Sequence, residues 1–167
     1  MAQQTQTATQ VLFPFLRYRD APAAIDWLVK AFGFKELMVV PNENGTVAHA
    51  ELDFESGVLM LASARDDELR IKSPSDLGAV TGGIYVYLED IDAHCERARA
   101  AGAEIVRGPE HTDYGSHEYT ARDLEGHLWS FGTYRPNGGG VVAGGGLAVG
   151  ERALDGVREI STGSSCR

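Results

Sequence analysis

The strongest constraint on the fold of this chain is an internal repeat of about 70 residues. Residues 11–64 and residues 83–134 show the same succession: an apolar strand, an amphipathic helix and three further strands. Asp20 and Asp90 stand at the two expected helix starts. Because unrelated segments rarely share a strand, a helix cap and a hairpin in one order, the repeat predicts two βαβββ modules.

The expected fold class is therefore α+β, with two tandem βαβββ modules forming a curved mixed sheet around a shared cleft. Tight turns are predicted at "FESG" (54–57) and "DLEG" (123–126), in matching places of the two modules. Pro14 indicates an edge position or a bulge in the first strand. The polar, turn-rich segment 65–82 is predicted to be a linking loop.

The two ends of the chain differ from this core in composition. Residues 1–10 form a polar N-terminal arm without the apolar stretch of a secretory signal. Residues 137–167 hold nine of the chain's 20 glycines, and we expect this tail to be disordered, with a docked arm as the alternative. The domain itself is expected to span residues 11–136.

Charge and composition exclude several classes of protein. The net charge is −9, from 24 acidic and 15 basic residues, which disfavours nucleic acid as a partner and favours a cationic ligand. Cys95 and Cys166 form no CxxC pair, and no apolar run is long enough to span a membrane. We expect a cytoplasmic protein with no membrane partner.

Two segments carry a resemblance to a known family. "TVAHAELDFESGVLMLA" (46–62) and "DYGSHEYTARDLEGHLWSF" (113–131) resemble the vicinal oxygen chelate superfamily, which includes glyoxalases, bleomycin-resistance proteins and extradiol dioxygenases. They are most similar to its small glyoxalase-like and PhnB-like members. The resemblance implies a homodimer, and it allows either a lyase, transferase or oxygenase or a non-catalytic binding protein.

The resemblance also implies four positions for metal ligands, two on the first strands and two on the last strands of the modules. Aligned on the helix caps and the turn glycines, these positions fall on Phe13, Leu61, Gly83 and Ser130. Phe, Leu and Gly offer no ligand atom in the side chain, and a single Ser is a poor ligand. We therefore predict no metal and no cofactor.

Alternation along the strands predicts the wall of a ligand pocket. Leu59, Leu61 and Ser63 are expected to face the same cleft, together with Leu128. The alternative is that the aromatic residues fill the core. The predicted ligand-binding residues are Phe13, Phe15, Arg17, Tyr85, Tyr87, Tyr114 and Ser130. An aromatic pocket of this kind suits a small aromatic or cationic molecule.

The second hypothesis is an enzyme of the same fold, with a relocated metal or with metal-free acid–base chemistry. Its candidate catalytic residues are His49, Glu51, His117 and Glu118. His49 and Glu51 are two positions apart on a predicted strand, so their side chains share a face. His94 is expected to be exposed on the second helix, and Trp27 and Trp129 to pack between sheet and helix.

Overall fold

The protein is described by a computed structural model over residues 10–136. The tail at 137–167, and the N-terminal arm apart from Gln10, lie outside the described residues. The first module contains β1 (Phe15–Tyr18), α1 (Ala21–Phe32), β2 (Lys35–Pro41), β3 (Val47–Phe54) and β4 (Gly57–Ser63). A short helix, α2 (Pro74–Leu77), follows. The second module contains β5 (Gly83–Tyr87), α3 (Ile91–Ala100), β6 (Glu104–His111), β7 (His117–Arg122) and β8 (Leu128–Gly132). The prediction of two tandem βαβββ modules is confirmed.

Each module forms its own four-stranded mixed sheet, in the order β1-β4-β3-β2 or β5-β8-β7-β6. The first strand of each module runs parallel to the last, and the other pairs are antiparallel. β1 lies at a sheet edge, as Pro14 predicts. The Pro14 carbonyl accepts a hydrogen bond from Met60 N, which fixes β1 against β4.

The two long helices begin where the repeat predicts. Asp20 and Asp90 each accept a hydrogen bond from the backbone N–H three residues on, at 3.1 and 3.2 Å. Gly33 follows α1 with a φ of 84°, a left-handed conformation that glycine adopts without steric cost. No helix in residues 10–136 has the length and apolar character needed to cross a membrane.

The segment between the modules is not entirely a loop, so that part of the prediction is wrong. Ser73 and Pro74 supply the cap and first residue of α2, a favourable start for a helical turn. The Ser73 hydroxyl also donates to Glu125 Oε2 at 2.5 Å. The linker is thereby attached to the β7–β8 turn of the second module.

One hydrophobic core is shared by the two modules. Phe32 at the end of α1 packs against Trp129 and Phe131 of β8, with ring centroids 5.4 and 4.8 Å apart. Trp129 is fully buried, and Trp27 is partly buried and donates from Nε1 to Ala101 O at the end of α3. The core side of each sheet therefore faces this shared interior.

His94 is half-buried rather than exposed, contrary to the prediction. Its Nε2 donates to the Phe32 carbonyl at 2.8 Å, and its Nδ1 lies 2.6 Å from the Tyr119 hydroxyl. Because the carbonyl can only accept, this arrangement places the proton on Nε2 and makes the Tyr119 hydroxyl the donor to Nδ1. Burial lowers the pKa of His94, which favours this neutral form.

The orientation of β4 also differs from the prediction. Leu59 and Leu61 are buried in the core, and Met60 is the Cα partner of Phe15 in the parallel pair. Met60 therefore shares a face with Phe15 and Arg17. The difference arises in the hairpin turns before the last strands. In the first module Phe54 pairs with Gly57. In the second module Asp123 N donates to His127 O, so the β7–β8 loop is one residue longer than the β3–β4 loop. A one-residue shift in a strand exchanges its two faces.

Candidate functional site

The β7–β8 turn joins the second module to the first. The Tyr18 hydroxyl donates to Asp123 Oδ2 at 2.6 Å, and the backbone N–H groups of Arg19 and Asp20 both donate to the Glu125 carboxylate at 2.8 Å. The carboxylates of Asp123 and Glu125 are almost completely buried. These acidic residues therefore hold the modules together and are not free for chemistry.

The matching corner of the other module has no such attachment. The repeat places Leu88 where the first module has Tyr18, and Phe54 where the second has Asp123. Neither side chain can form the hydrogen bond. Within residues 10–136, no hydrogen bond links residues 54–57 to residues 88–90. A cavity opens on this side.

We call this opening, of about 220 Å³, the tyrosine cavity. Residues 84–87 of β5 and residues 54–59 of the β3–β4 hairpin line it. Phe34 and Trp129 add aromatic surface. The tyrosine cavity thus offers flat apolar walls of the kind that bind a planar ligand.

The face of Tyr87 in this cavity carries a cation. Arg135 Cζ lies 3.5 Å from the centroid of the Tyr87 ring, a cation–π contact. The Tyr87 hydroxyl donates to Glu89 Oε1 at 3.2 Å, outside the cavity lining, and Glu55 contributes a carboxylate to the lining itself. The surroundings of the Tyr87 ring are therefore suited to positive charge.

Tyr85 is fixed more tightly than Tyr87. Its hydroxyl accepts a hydrogen bond from Tyr134 N at 3.0 Å. A Cβ added at Gly132 would lie 2.5 Å from the Tyr85 hydroxyl and 2.8 Å from Glu118 Cγ, so only glycine fits there. Burial raises the pKa of Tyr85. Tyr85 is thus a neutral, rigid part of the wall.

A second opening, of about 330 Å³, lies between residues 15–17 of β1 and residues 127–128 at the start of β8. We call it the arginine cavity. Part of the linker between Ile71 and Gly82 also lines it. Pro14 and Ile84 line both cavities. The two cavities are built alike: each lies between the first strand of one module and the last hairpin of the other.

Of the seven predicted ligand-binding residues, two line the tyrosine cavity, two line the arginine cavity and three line neither. Tyr85 and Tyr87 line the tyrosine cavity, whereas Phe15 and Arg17 line the arginine cavity. The other three line neither cavity. Phe13 precedes β1 and is 45% exposed, and the Tyr114 hydroxyl donates to Glu118. Ser130 Oγ lies 3.2 Å from Thr120 Oγ1. The structure therefore does not bring the predicted set together in one pocket of the chain.

Comparison with known proteins gives the family. The family model described as Glyoxalase/Bleomycin resistance protein/Dioxygenase superfamily matches residues 8–131. The chain belongs to this superfamily. An uncharacterized protein of Mycobacterium bovis is 37% identical over 123 residues, which cover 72% of this chain and 81% of that protein.

Solved structures share the fold of this chain. TioX from Micromonospora sp. ML1 is 35% identical, with a TM-score of 0.60 over 74% of this chain and 97% of that chain. A mutant of glyoxalase I from Zea mays is 17% identical, with a TM-score of 0.58 over 75% of this chain and 45% of that chain. At that identity the likeness shows the fold alone.

The residues at the four metal positions of the superfamily do not fit a metal. With the register of β4 corrected, these positions hold Phe13, Met60, Gly83 and Ser130. A thioether and a hydroxyl do not replace the imidazole and carboxylate ligands that a divalent metal requires there. Over residues 10–136, no group of three or more His, Cys, Asp or Glu side chains is placed to hold a metal ion.

The four candidate catalytic residues lie outside both cavities. His49 Nε2 and Glu51 Oε1 are 3.1 Å apart on the half-exposed face of β3. His117 stacks on His111 with ring centroids 4.3 Å apart, while Glu118 contacts Tyr114. His49 and Glu51 therefore contact each other, whereas His117 contacts His111 and Glu118 contacts Tyr114.

Two residues that line the tyrosine cavity, Arg135 and Gln10, are not predicted from the sequence. Arg135 follows the last predicted strand, and no periodic pattern marks it. Gln10 stands at the end of the polar arm, yet its side-chain amide pairs with both backbone groups of Val58, at 3.1 and 2.5 Å. Gln10 thereby occupies the edge of β4 ahead of the start of β1.

Proposed function

We propose that this protein binds a small planar aromatic cation in the tyrosine cavity without a metal. The observation that carries the proposal is the contact between Arg135 and Tyr87: the ring already accepts a guanidinium at 3.5 Å. A ligand with a delocalised positive charge would take the place of that guanidinium. Tyr85, Phe34 and Trp129 would supply the remaining aromatic surface.

The charges around the cavity support a cationic ligand over an anionic one. Glu55 lines the cavity, and Glu89 accepts from the Tyr87 hydroxyl, which increases the negative character of the ring face. The net charge of −9 attracts cations over longer distances. Once a ligand displaces Arg135, the cavity presents a carboxylate and no cation to it.

The test is a calorimetric titration with N-methylquinolinium, compared with its uncharged parent quinoline at neutral pH. Replacing Tyr87 by Leu retains apolar surface but removes the π face, so we expect about tenfold weaker binding of the cation. Quinoline should bind the wild type and the Tyr87→Leu variant with nearly equal affinity.

Tyr114→Leu is the matched control, because Tyr114 is exposed and lines neither cavity. We expect this variant to bind N-methylquinolinium like the wild type. Equal affinity of the wild type for quinoline and N-methylquinolinium would contradict the choice of a cation. No binding of either compound would contradict the proposed site.

The second candidate function is metal-free acid–base catalysis by an enzyme of the lyase, isomerase or dioxygenase-like type. The 3.1 Å contact between His49 and Glu51 favours it, since a carboxylate that accepts a hydrogen bond from an imidazole fixes the orientation of the ring. The pair lies on an open face and not in a cavity, so we favour binding. Turnover of a glyoxalase-type substrate that is abolished in His49→Gln would reverse this preference.

We also propose that the protein is cytoplasmic and acts as a homodimer. The edge strand β2 exposes Leu37, Met38 and Val40, each by at least two fifths of its surface. An apolar row of this kind on an edge strand is commonly covered by a partner. Sedimentation equilibrium tests the dimer, and Met38→Glu should shift the equilibrium toward the monomer.

A further inference from the structure

The arginine cavity differs from the rest of this acidic protein in its charge. Arg17 and Lys72 both line it, and none of its lining residues carries a carboxylate. Apolar groups of Phe15, Leu77, Val80 and others cover the remaining walls. A cavity with two cations and no anion, in a chain of net charge −9, calls for an explanation.

Arg17 is held in place from two sides. It is 2% exposed, donates from Nη1 to the Ser63 carbonyl at 3.1 Å, and lies with its Cζ 4.7 Å from the centre of the Phe15 ring. These contacts fix the guanidinium before any ligand arrives. A preorganised guanidinium is the side chain best suited to bind a carboxylate.

The charge of Arg17 is incompletely balanced by the protein. Its nearest carboxylate, Asp67, lies at 3.4 Å but is more closely engaged by Arg65 at 2.7 Å and also accepts from Leu69 N. Burial and the nearby Arg65 lower the pKa of Arg17, as expected of a cation short of counter-charge. One carboxylate thus serves two guanidinium groups.

Lys72 adds a second cation that is available for binding. Its only ion pair among the described residues is with Asp66, at 3.4 Å, and the Asp66 side chain is 97% exposed. Such a solvent-exposed pair contributes little and is readily exchanged for another carboxylate.

We propose that the arginine cavity binds an apolar monocarboxylate, with its carboxylate between Arg17 and Lys72 and its apolar body against Phe15, Leu77 and Val80. The site is separate from the tyrosine cavity and has the opposite preference for charge. It does not depend on the proposed binding of an aromatic cation, and either site can be tested without the other.

The test uses 2-naphthoate and its uncharged analogue 2-naphthalenemethanol in calorimetric titrations of the full chain. We expect 2-naphthoate to bind about tenfold more tightly, because hydrogen bonds to charged groups are the strong ones. Lys72→Met keeps the aliphatic stem and removes the charge, and should weaken naphthoate binding about tenfold. Lys35→Met, a change of the same charge at an exposed position of β2, should leave the affinity unchanged.

Amide chemical shifts locate the bound naphthoate independently of any variant. Shifts concentrated at residues 71–82 and 15–17 support the proposal. Shifts concentrated at residues 84–87 and 54–59 would overturn it, as would equal affinities for 2-naphthoate and the alcohol, or equal effects of Lys72→Met and Lys35→Met. N-methylquinolinium, titrated in parallel, reports on the tyrosine cavity and separates a failure of one site from a failure of the other.

Discussion

The Tyr18 hydroxyl donates a 2.6 Å hydrogen bond to Asp123, a buried contact that joins the first strand of one module to the last turn of the other. Asp123 Oδ2 also accepts from Trp129 Nε1 at 3.0 Å. A single carboxylate thus fixes a strand end and a core tryptophan together. The repeat has no counterpart at Leu88 and Phe54, and the tyrosine cavity lies at that corner.

Removing the Tyr18 hydroxyl should therefore destabilise the fold. We expect Tyr18→Phe to lower the free energy of unfolding by about 1.5–3 kcal/mol, because the hydrogen bond is buried and its acceptor is charged. Urea denaturation measures the change. Tyr114→Phe removes an exposed hydroxyl bonded to Glu118 and should change stability by less than about 0.5 kcal/mol. Equal effects of the two variants would contradict a stabilising role for the Tyr18–Asp123 contact.

Gly132 should tolerate no side chain, because Tyr85 and Glu118 occupy the space. A Cβ there would meet the Tyr85 hydroxyl at 2.5 Å. We expect Gly132→Ala to cost about 1–3 kcal/mol, as overpacking does, measured by thermal or urea unfolding. Gly108→Ala is the control, since a Cβ at Gly108 has no neighbour within 4 Å. A Gly132→Ala variant as stable as Gly108→Ala would show that Tyr85 is not held as described.

His94 should make the fold less stable in acid. Burial lowers the pKa of His94 below its usual 6.5 in the folded protein, so the unfolded chain takes up the proton first. Stability is therefore greatest above pH 6.5 and falls as the pH drops from 6.5 through the folded pKa.

His94→Gln removes this titration. Although the variant loses stability at neutral pH, the difference in unfolding free energy between wild type and variant should shrink as the pH falls. A constant difference between the wild type and His94→Gln from neutral pH into acid would contradict a buried neutral His94.

Arg135 should compete with a cationic ligand for the face of Tyr87. Replacing Arg135 by Ala removes the competing guanidinium, so we expect N-methylquinolinium to bind about threefold to tenfold more tightly. Arg107→Ala, at an exposed position of β6 that lines neither cavity, is the control for the loss of one positive charge. Weaker binding by Arg135→Ala would mean that Arg135 contacts the ligand directly.

The sequence predicts the two modules well because the same local signals, such as helix caps and tight turns, occur in both halves of the repeat. Asp20 and Asp90 cap helices through contacts three residues away, and such short-range chemistry is visible in the sequence. The faces of β4 were harder to predict: one extra residue in the β7–β8 turn shifts the alignment of Leu61 with Ser130, and a shift of one residue exchanges the two faces of a strand.

Contacts between distant segments could not be predicted from periodicity. His94 is buried by the end of α1, about 60 positions earlier in the chain (the Phe32 carbonyl), and Arg135 meets Tyr87 only after the second sheet has formed. The same limit applies to the site. Alternation predicts one shared cleft for the Phe15–Arg17 pair and the Tyr85–Tyr87 pair. In the structure the two pairs line separate cavities.

The most direct test of metal-free binding in the tyrosine cavity is an NMR titration of the full chain with N-methylquinolinium, before and after exhaustive dialysis against EDTA. We predict saturable binding at one site per chain, with the largest amide shifts at residues 84–87 and 57–59 and with the same affinity in both samples. Binding that disappears after EDTA and returns with added Ni²⁺ or Zn²⁺, or shifts confined to the face of β3 around His49 and Glu51, would contradict this account.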